Sequence, residues 1–167
     1  MKELKQGDKV CFKVVWPEKK VLYIEGIIKA VSIDGADIMI FLRGLEQNFV
    51  FWLRSGEWIF YDKKTWQGLL MELIEEKIDF PNVIPEIGDH IAYDIFKRSQ
   101  GKGIIVNFRY LLKRKGKIIE AGIVLPLVEN QEMYYWMPAK WYQRNKSGHW
   151  YFKDEKNKRF KAKVEKI

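Results

Sequence analysis

Hydrophobic and polar residues alternate with period two along most of this chain. Val10, Phe12, Val14 and Trp16 fall on one side of a segment that opens at Gly7-Asp8 and breaks at Pro17-Glu18-Lys19-Lys20. That alternation is the mark of a half-buried strand. A second strand is predicted over Val21 to Ile33, with Gly26 inside it as a bend or bulge that lets a small sheet curl. Asp34-Gly35 suits a two-residue hairpin turn, after which Asp37 to Arg43 forms a third strand. Gly44-Leu45-Glu46-Gln47 turns the chain again. Asn48 to Arg54 follows, with Phe49, Phe51 and Leu53 on one face and Val50 and Trp52 on the other. Ser55-Gly56 turns it into a fifth strand, Glu57 to Tyr61, where Trp58 and Phe60 share a face and are expected to fill the interior.

The period then changes. Trp66, Leu69, Leu70, Leu73, Ile74 and Ile78 recur at steps of three and four, which predicts an amphipathic helix within Asp62 to Asp79, capped by Asp62 or Thr65. Glu72, Glu75, Glu76 and Asp79 give it an acidic outer face. Pro81 and Pro85 end the helix and place a boundary there.

Beyond the prolines the first pattern returns. Ser55-Gly56-Glu57-Trp58-Ile59-Phe60-Tyr61-Asp62-Lys63-Lys64 reappears as Ser147-Gly148-His149-Trp150-Tyr151-Phe152-Lys153-Asp154-Glu155-Lys156, with Ser, Gly, Trp, Phe, Asp and Lys in place. Gly88-Asp89 repeats Gly7-Asp8, Gly103-Ile104-Ile105 repeats Gly26-Ile27-Ile28, and Tyr134 to Met137 repeats Val50 to Leu53. Internal similarity of this kind predicts one unit used twice. The expected organisation is residues 1–64, a helical connector over 65–85, and residues 86–167. The two Gly-Asp strand openings, the bend glycines Gly26 and Gly103 and the aromatic late strands resemble the SH3-like small-barrel superfold, which includes Tudor, KOW-type and chromo-barrel modules. The resemblance implies a mainly β protein of two tandem five-to-six-stranded barrels joined by one amphipathic helix. It also implies binding of nucleic acid, peptides or modified side chains. Trp52, Trp58 and Tyr61 are read either as core or as an aromatic cage.

Charge divides the chain more sharply than hydropathy does. Residues 1–80 carry 12 Lys and Arg against 13 Asp and Glu, a balance of −1; residues 81–167 carry 18 against 9, a balance of +9. The excess gathers in a predicted basic hairpin tip, Leu112-Lys113-Arg114-Lys115-Gly116-Lys117. It gathers again in an insertion, Pro138-Ala139-Lys140-Trp141-Tyr142-Gln143-Arg144-Asn145-Lys146, where cations alternate with aromatic rings. Lys97 and Arg98 add to it. A last strand from Arg159 sets Phe160, Ala162 and Val164 against Lys161 and Lys163.

Catalytic chemistry is thinly represented. Two histidines and one cysteine do not make a zinc cluster. Cys11, inside a predicted strand, reads as packing rather than as a nucleophile. Gly101-Lys102-Gly103 precedes a strand, not the helix a phosphate loop needs. A single cysteine and no apolar stretch of membrane-spanning length fit a cytoplasmic protein without a membrane partner. No enzyme activity, metal or cofactor is therefore expected. The leading expectation is a binding protein for DNA or RNA, single strands included. Lys113, Arg114, Lys115, Lys140, Arg144 and Lys146 would meet phosphates, and Trp141 and Tyr142 would stack on bases. The alternative is an adaptor or inhibitor of an acidic protein surface, of the kind phages and other mobile elements encode. A third reading is a basic pocket for a nucleotide-like ligand. Oligomeric state is not written in the sequence.

Overall fold

The computed structural model describes residues 3–15, 21–45, 49–62, 67–74, 85–113, 116–125, 133–142 and 147–167. Its elements are all strands: β1 (Lys9–Val15), β2 (Val21–Asp34), β3 (Asp37–Leu42), β4 (Phe49–Arg54), β5 (Glu57–Asp62), β6 (Gln67–Ile74), β7 (His90–Ile95), β8 (Ser99–Lys113), β9 (Gly116–Leu125), β10 (Met133–Tyr142), β11 (Ser147–Lys153) and β12 (Arg159–Lys166). They form one 12-stranded sheet in the order β1-β6-β5-β4-β3-β2-β8-β7-β12-β11-β10-β9. An additional β1–β2 pairing closes the first six strands into a small barrel. The remaining strands continue from it through an antiparallel β2–β8 pairing, and β9 returns to β8.

Two tandem SH3-like barrels joined by an amphipathic helix are therefore not what the chain forms. No helix occurs among the described residues, and the heart of the expected helix is strand β6. The reason is hydrogen bonding. β1 and β5 each need a neighbour, and β6 lies between them, with Met71 opposite both Val14 and Trp58. Leu69, Met71 and Leu73 alternate toward the core while Glu72 is exposed. The same leucines that satisfy a helical spacing also satisfy a spacing of two, and the unpaired barrel edge selects the strand. Trp66 and Ile78 lie outside the described residues.

Two cores result. Phe12, Phe51, Trp58, Phe60, Ile24, Ile28 and Ile40 centre the first. Phe12 stacks on Phe51 with ring centroids 4.9 Å apart and meets Trp58 edge-on at 5.1 Å. Ile91, Tyr93, Ile105, Phe108, Tyr110, Ile123, Met137 and Trp150 centre the second. Strand β2 serves both. Leu22, Ile24 and Ile28 face the first core, while Tyr23 and Ile27 pack against the second. Across the β2–β8 pair, Tyr23 stands opposite Tyr110 and Glu25 opposite Phe108. Opposed residues of an antiparallel pair share a face, so the sheet exchanges inside for outside along this seam. The outer side of the first barrel becomes the inner side of the second group of strands.

The bend glycines have a different cause from the one expected. The register breaks lie just beyond them, between Ile28 and Ala30 on β2 and between Ile105 and Asn107 on β8. At Gly26 a Cβ would crowd two side-chain ends, lying 2.8 Å from Asn107 Nδ2 and 3.0 Å from Leu42 Cδ1; at Gly103 it would lie 2.3 Å from the Val124 carbonyl oxygen, which leaves room only for glycine. The hairpin turn between β2 and β3 is also displaced by one residue, with Asp34 paired to Asp37 around Gly35-Ala36.

Candidate nucleic-acid interface

Lys113 ends β8, where its backbone pairs with Gly116, while Arg114 and Lys115 lie outside the described residues. Lys140, Trp141 and Tyr142 are not in a loop. They complete β10, which runs unbroken through Pro138. Pro138 pairs with Glu120 on β9, while the ladder to β11 begins only at Ala139, so a residue without an N–H is tolerated there. The insertion has thus lengthened a hairpin: Lys140 pairs with His149, Trp141 with Gly148 and Tyr142 with Ser147. Ser147-Gly148 consequently lies within a strand, whereas its counterpart Ser55-Gly56 is a tight turn with φ of 52° and 79°. The side chains of Lys113, Trp141 and Tyr142 lie outside the described set, as do Arg144 and Lys146 altogether.

The β9–β10 register decides what these segments have in common. Trp141 pairs with Lys117 and Lys140 with Ile118. The end of the β8–β9 hairpin therefore lies beside the end of the β10–β11 hairpin, although 25 or more positions of sequence separate Lys115 from Lys140. Lys140 itself is half-buried on β10.

Strand β12 contributes a further row of cations. Arg159, Lys161 and Lys163 are exposed while Phe160, Ala162 and Val164 turn inward, as the alternation predicts. Lys161 stands opposite Tyr151 and Arg159 opposite Lys153 on β11. Aromatic rings lie under Arg159 of this row and under two arginines outside it. Arg159 sits 5.1 Å from the Tyr151 ring centroid, and Arg98 lies 4.7 Å from Phe152 and 5.5 Å from Phe160. Arg109 lies only 3.7 Å from the Trp136 ring. Guanidinium stacking of this kind fixes the cation's position while leaving its edge able to donate. The expected phosphate contacts are the hairpin and insertion cations alone; the β12 row is legible in the alternation itself, and the arginine stacks are not.

The aromatic-cage reading of Trp52, Trp58 and Tyr61 fails because the sheet separates them. Trp58 is buried in the first core, while Trp52 and Tyr61 pack together on the opposite face at 5.6 Å, with Arg54 over Trp52.

Titratable groups at the seam are arranged for packing rather than reaction. Tyr110 donates a hydrogen bond to the Glu25 carboxylate, and Cys11 stands opposite Glu25 on β1. Burial, with Glu25 adding to it, raises the Cys11 thiol from 9.0 to about 12. Burial first, and then the charge and hydrogen bond of Glu25, keep the Tyr110 hydroxyl protonated well above the ordinary tyrosine range. A thiol so strongly protonated is a poor nucleophile. Among the described residues there is no group of three or more His, Cys, Asp or Glu able to hold a metal ion. Among them also, no helix is long and apolar enough to cross a membrane.

A separate cleft of about 520 Å³ opens beside the seam, where Gln6, Lys29 and Arg43 meet Ile27, Ile28 and the ring of Tyr134. None of these six residues was singled out as a site residue from the sequence. They come from four separate stretches of chain, and no local motif marks them.

Comparison of the chain with protein-family models, with curated proteins and with solved structures finds no match.

Proposed function

We propose that this is a non-catalytic nucleic-acid-binding protein whose binding surface is built from the ends of the β8–β9 and β10–β11 hairpins and the cation row of β12. The observation that carries the reading is the pairing of Lys117 with Trp141, which puts the basic hairpin tip beside the segment that mixes cations with aromatic rings. Neutralising phosphates with Lys and Arg supplies affinity with little sequence preference, and neighbouring aromatic rings suit unpaired bases. The excess of +9 in residues 81–167 supports an anionic partner for this half.

We further propose that the two halves are copies of one SH3-like unit. Gly7 and Gly88 share a φ of 90°. Gly7 N–H donates to the Ile28 carbonyl and Gly88 N–H to that of Ile105; Ile28 N–H donates back to Asp8 and Ile105 N–H to Asp89. The carboxylates of Asp8 and Asp89 accept from the N–H of Lys5 and Glu86 in the same way.

The test is fluorescence-polarisation binding of labelled single-stranded and duplex DNA and RNA across a salt series. Wild type is compared with Lys113→Glu/Arg114→Glu, Lys161→Glu/Lys163→Glu and Trp141→Ala. Binding should weaken steeply with salt, and each phosphate contact removed should flatten the log–log slope by about 0.7 to 0.9. No binding of any of these probes at low salt would remove the proposal and turn attention to an acidic protein partner.

A further inference from the structure

The cleft beside the seam has a counterpart in the second half, and the two are built oppositely. The shared turn bonds align Gln6 with Ile87, and the shared register breaks align Lys29 with Val106. Leu42 pairs with Ile28 as Ile123 pairs with Ile105, which aligns Arg43 with Val124. Ile87, Val106 and Val124 are all buried and apolar. The second turn is also covered: Lys9 Nζ approaches to 3.2 Å of the place where a Cβ on Gly88 would sit. At the same place in the first half, the three residues are an amide and two cations around an open space of about 520 Å³. A fold that only had to close its turn would fill this place with aliphatic side chains, as the second half does.

Chemistry narrows the occupant. Lys29 occupies the bulge position of β2 and is exposed. A bulge re-aims the side chain it carries. Arg43 is anchored by its backbone, whose N–H donates to the Ile27 carbonyl. Among the described residues, no Asp or Glu lines the cleft. Ile27 and the half-buried Tyr134 ring give it an apolar, flat-sided wall. Gly44, at φ 78°, lies against that ring, with Tyr134 Cδ1 3.3 Å from where a Cβ would be. Two cations beside an aromatic and aliphatic wall suit a phosphate joined to a flat ring. The volume falls within the range of small-molecule sites, about 300 to 1,000 Å³.

We infer that this cleft binds a nucleoside monophosphate, with Lys29 and Arg43 on the phosphate, Gln6 as a polar partner and Tyr134 against the base. The site is separate from the hairpin ends and does not rest on their role.

Isothermal titration of the full chain with AMP and GMP tests the inference, with adenosine and inorganic phosphate as partial probes. Lys29→Gln changes an exposed side chain and should fold normally, which thermal unfolding checks; Tyr134→Ala probes the wall. AMP binding should weaken about tenfold in Lys29→Gln, because a charge-assisted contact is lost. Adenosine and phosphate should each bind more weakly than AMP. Tighter binding of a 5′-phosphorylated tetranucleotide than of AMP would assign a strand end as the source of the phosphate; equal or weaker binding would assign the free nucleotide. AMP affinity weaker than about 1 mM, or unchanged in both variants, would overturn the site. Loss of AMP binding in Lys113→Glu/Arg114→Glu would overturn it too, by moving the nucleotide to the hairpins. Retained AMP binding in that variant, with oligonucleotide binding gone, would separate the two sites.

Discussion

The two halves of the sheet each have a Gly-Asp turn, a register break and a buried tryptophan, Trp58 or Trp150, yet they differ in where they keep charge. The first half places its cations around a concave space beside the β2 bulge, where the second half has Ile87, Val106 and Val124. The second half places cations on long hairpins and on the outer row of β12. Similar turn and bulge geometry thus carries different side-chain chemistry, because exposed and cavity-lining positions tolerate changes that hydrogen-bonded turns and cores do not.

The largest effects should come from asking whether the halves fold as one. Phe12→Ala removes a fully buried ring at the centre of the first core and should cost about 3–5 kcal/mol in urea unfolding. Because β2 feeds both cores, tryptophan fluorescence and far-ultraviolet circular dichroism should still report one coincident transition. Two separated transitions would break the picture of a shared seam.

Next in size are the paired glycines. Gly103→Ala drives a Cβ to 2.3 Å from a backbone oxygen, which cannot move without disturbing the β8–β9 ladder. Gly26→Ala meets side chains instead, Asn107 Nδ2 and Leu42 Cδ1. Overpacking costs about 1–3 kcal/mol, with Gly103→Ala at the upper end and Gly26→Ala nearer the lower. Asn107 is fully buried, and its Oδ1 has no hydrogen-bond partner among the described residues. Asn107→Ala, the residue found at its counterpart Ala30, should recover part of the Gly26→Ala loss in a double-mutant cycle. Strict additivity would show that the two do not touch in solution.

A smaller effect separates the halves by pH. Cys11 faces Glu25, while its counterpart in β7 is Ala92. The folded thiol holds its proton to about 12 instead of 9.0, so the unfolded chain releases that proton first. Stability should be full below pH 9 and fall as pH rises toward 12, with the raised Tyr110 and Tyr93 acting in the same direction. Urea midpoints measured across this window should fall less steeply for Cys11→Ala. An unchanged slope would mean that the thiol is not buried against Glu25. Smallest of all for folding is Lys161→Glu, expected to shift stability by under about 0.5 kcal/mol while flattening the salt dependence of nucleic-acid binding.

Much of the strand layout was legible. Val10, Phe12 and Val14 read as a buried face, and they are one. Trp58 and Phe60 read as core and lie in it. The connector misled because Leu69, Leu70, Leu73 and Ile74 fit a helix as well as a strand. Only the needs of β1 and β5 distinguish the two. The repeated Ser-Gly pair misled in part, since a longer hairpin carries Ser147-Gly148 into a ladder while Ser55-Gly56 stays in a turn. Of the expected binding residues, the proximity of the two basic segments depends on the β9–β10 register, and the cleft depends on four stretches meeting at the seam.

By itself, then, the sequence determined the period-two strands, the glycine-marked turns, the doubled pattern and the concentration of positive charge after residue 80. Each of these is a local property, set by side-chain alternation, backbone conformational preference and composition. Tertiary structure alone decided that β6 is a strand, that β2 divides its two faces between two cores, and that the ends of the β8–β9 and β10–β11 hairpins lie side by side. Those outcomes follow from closing hydrogen-bond ladders between distant segments, and the partner that satisfies a strand edge is not encoded within the strand itself.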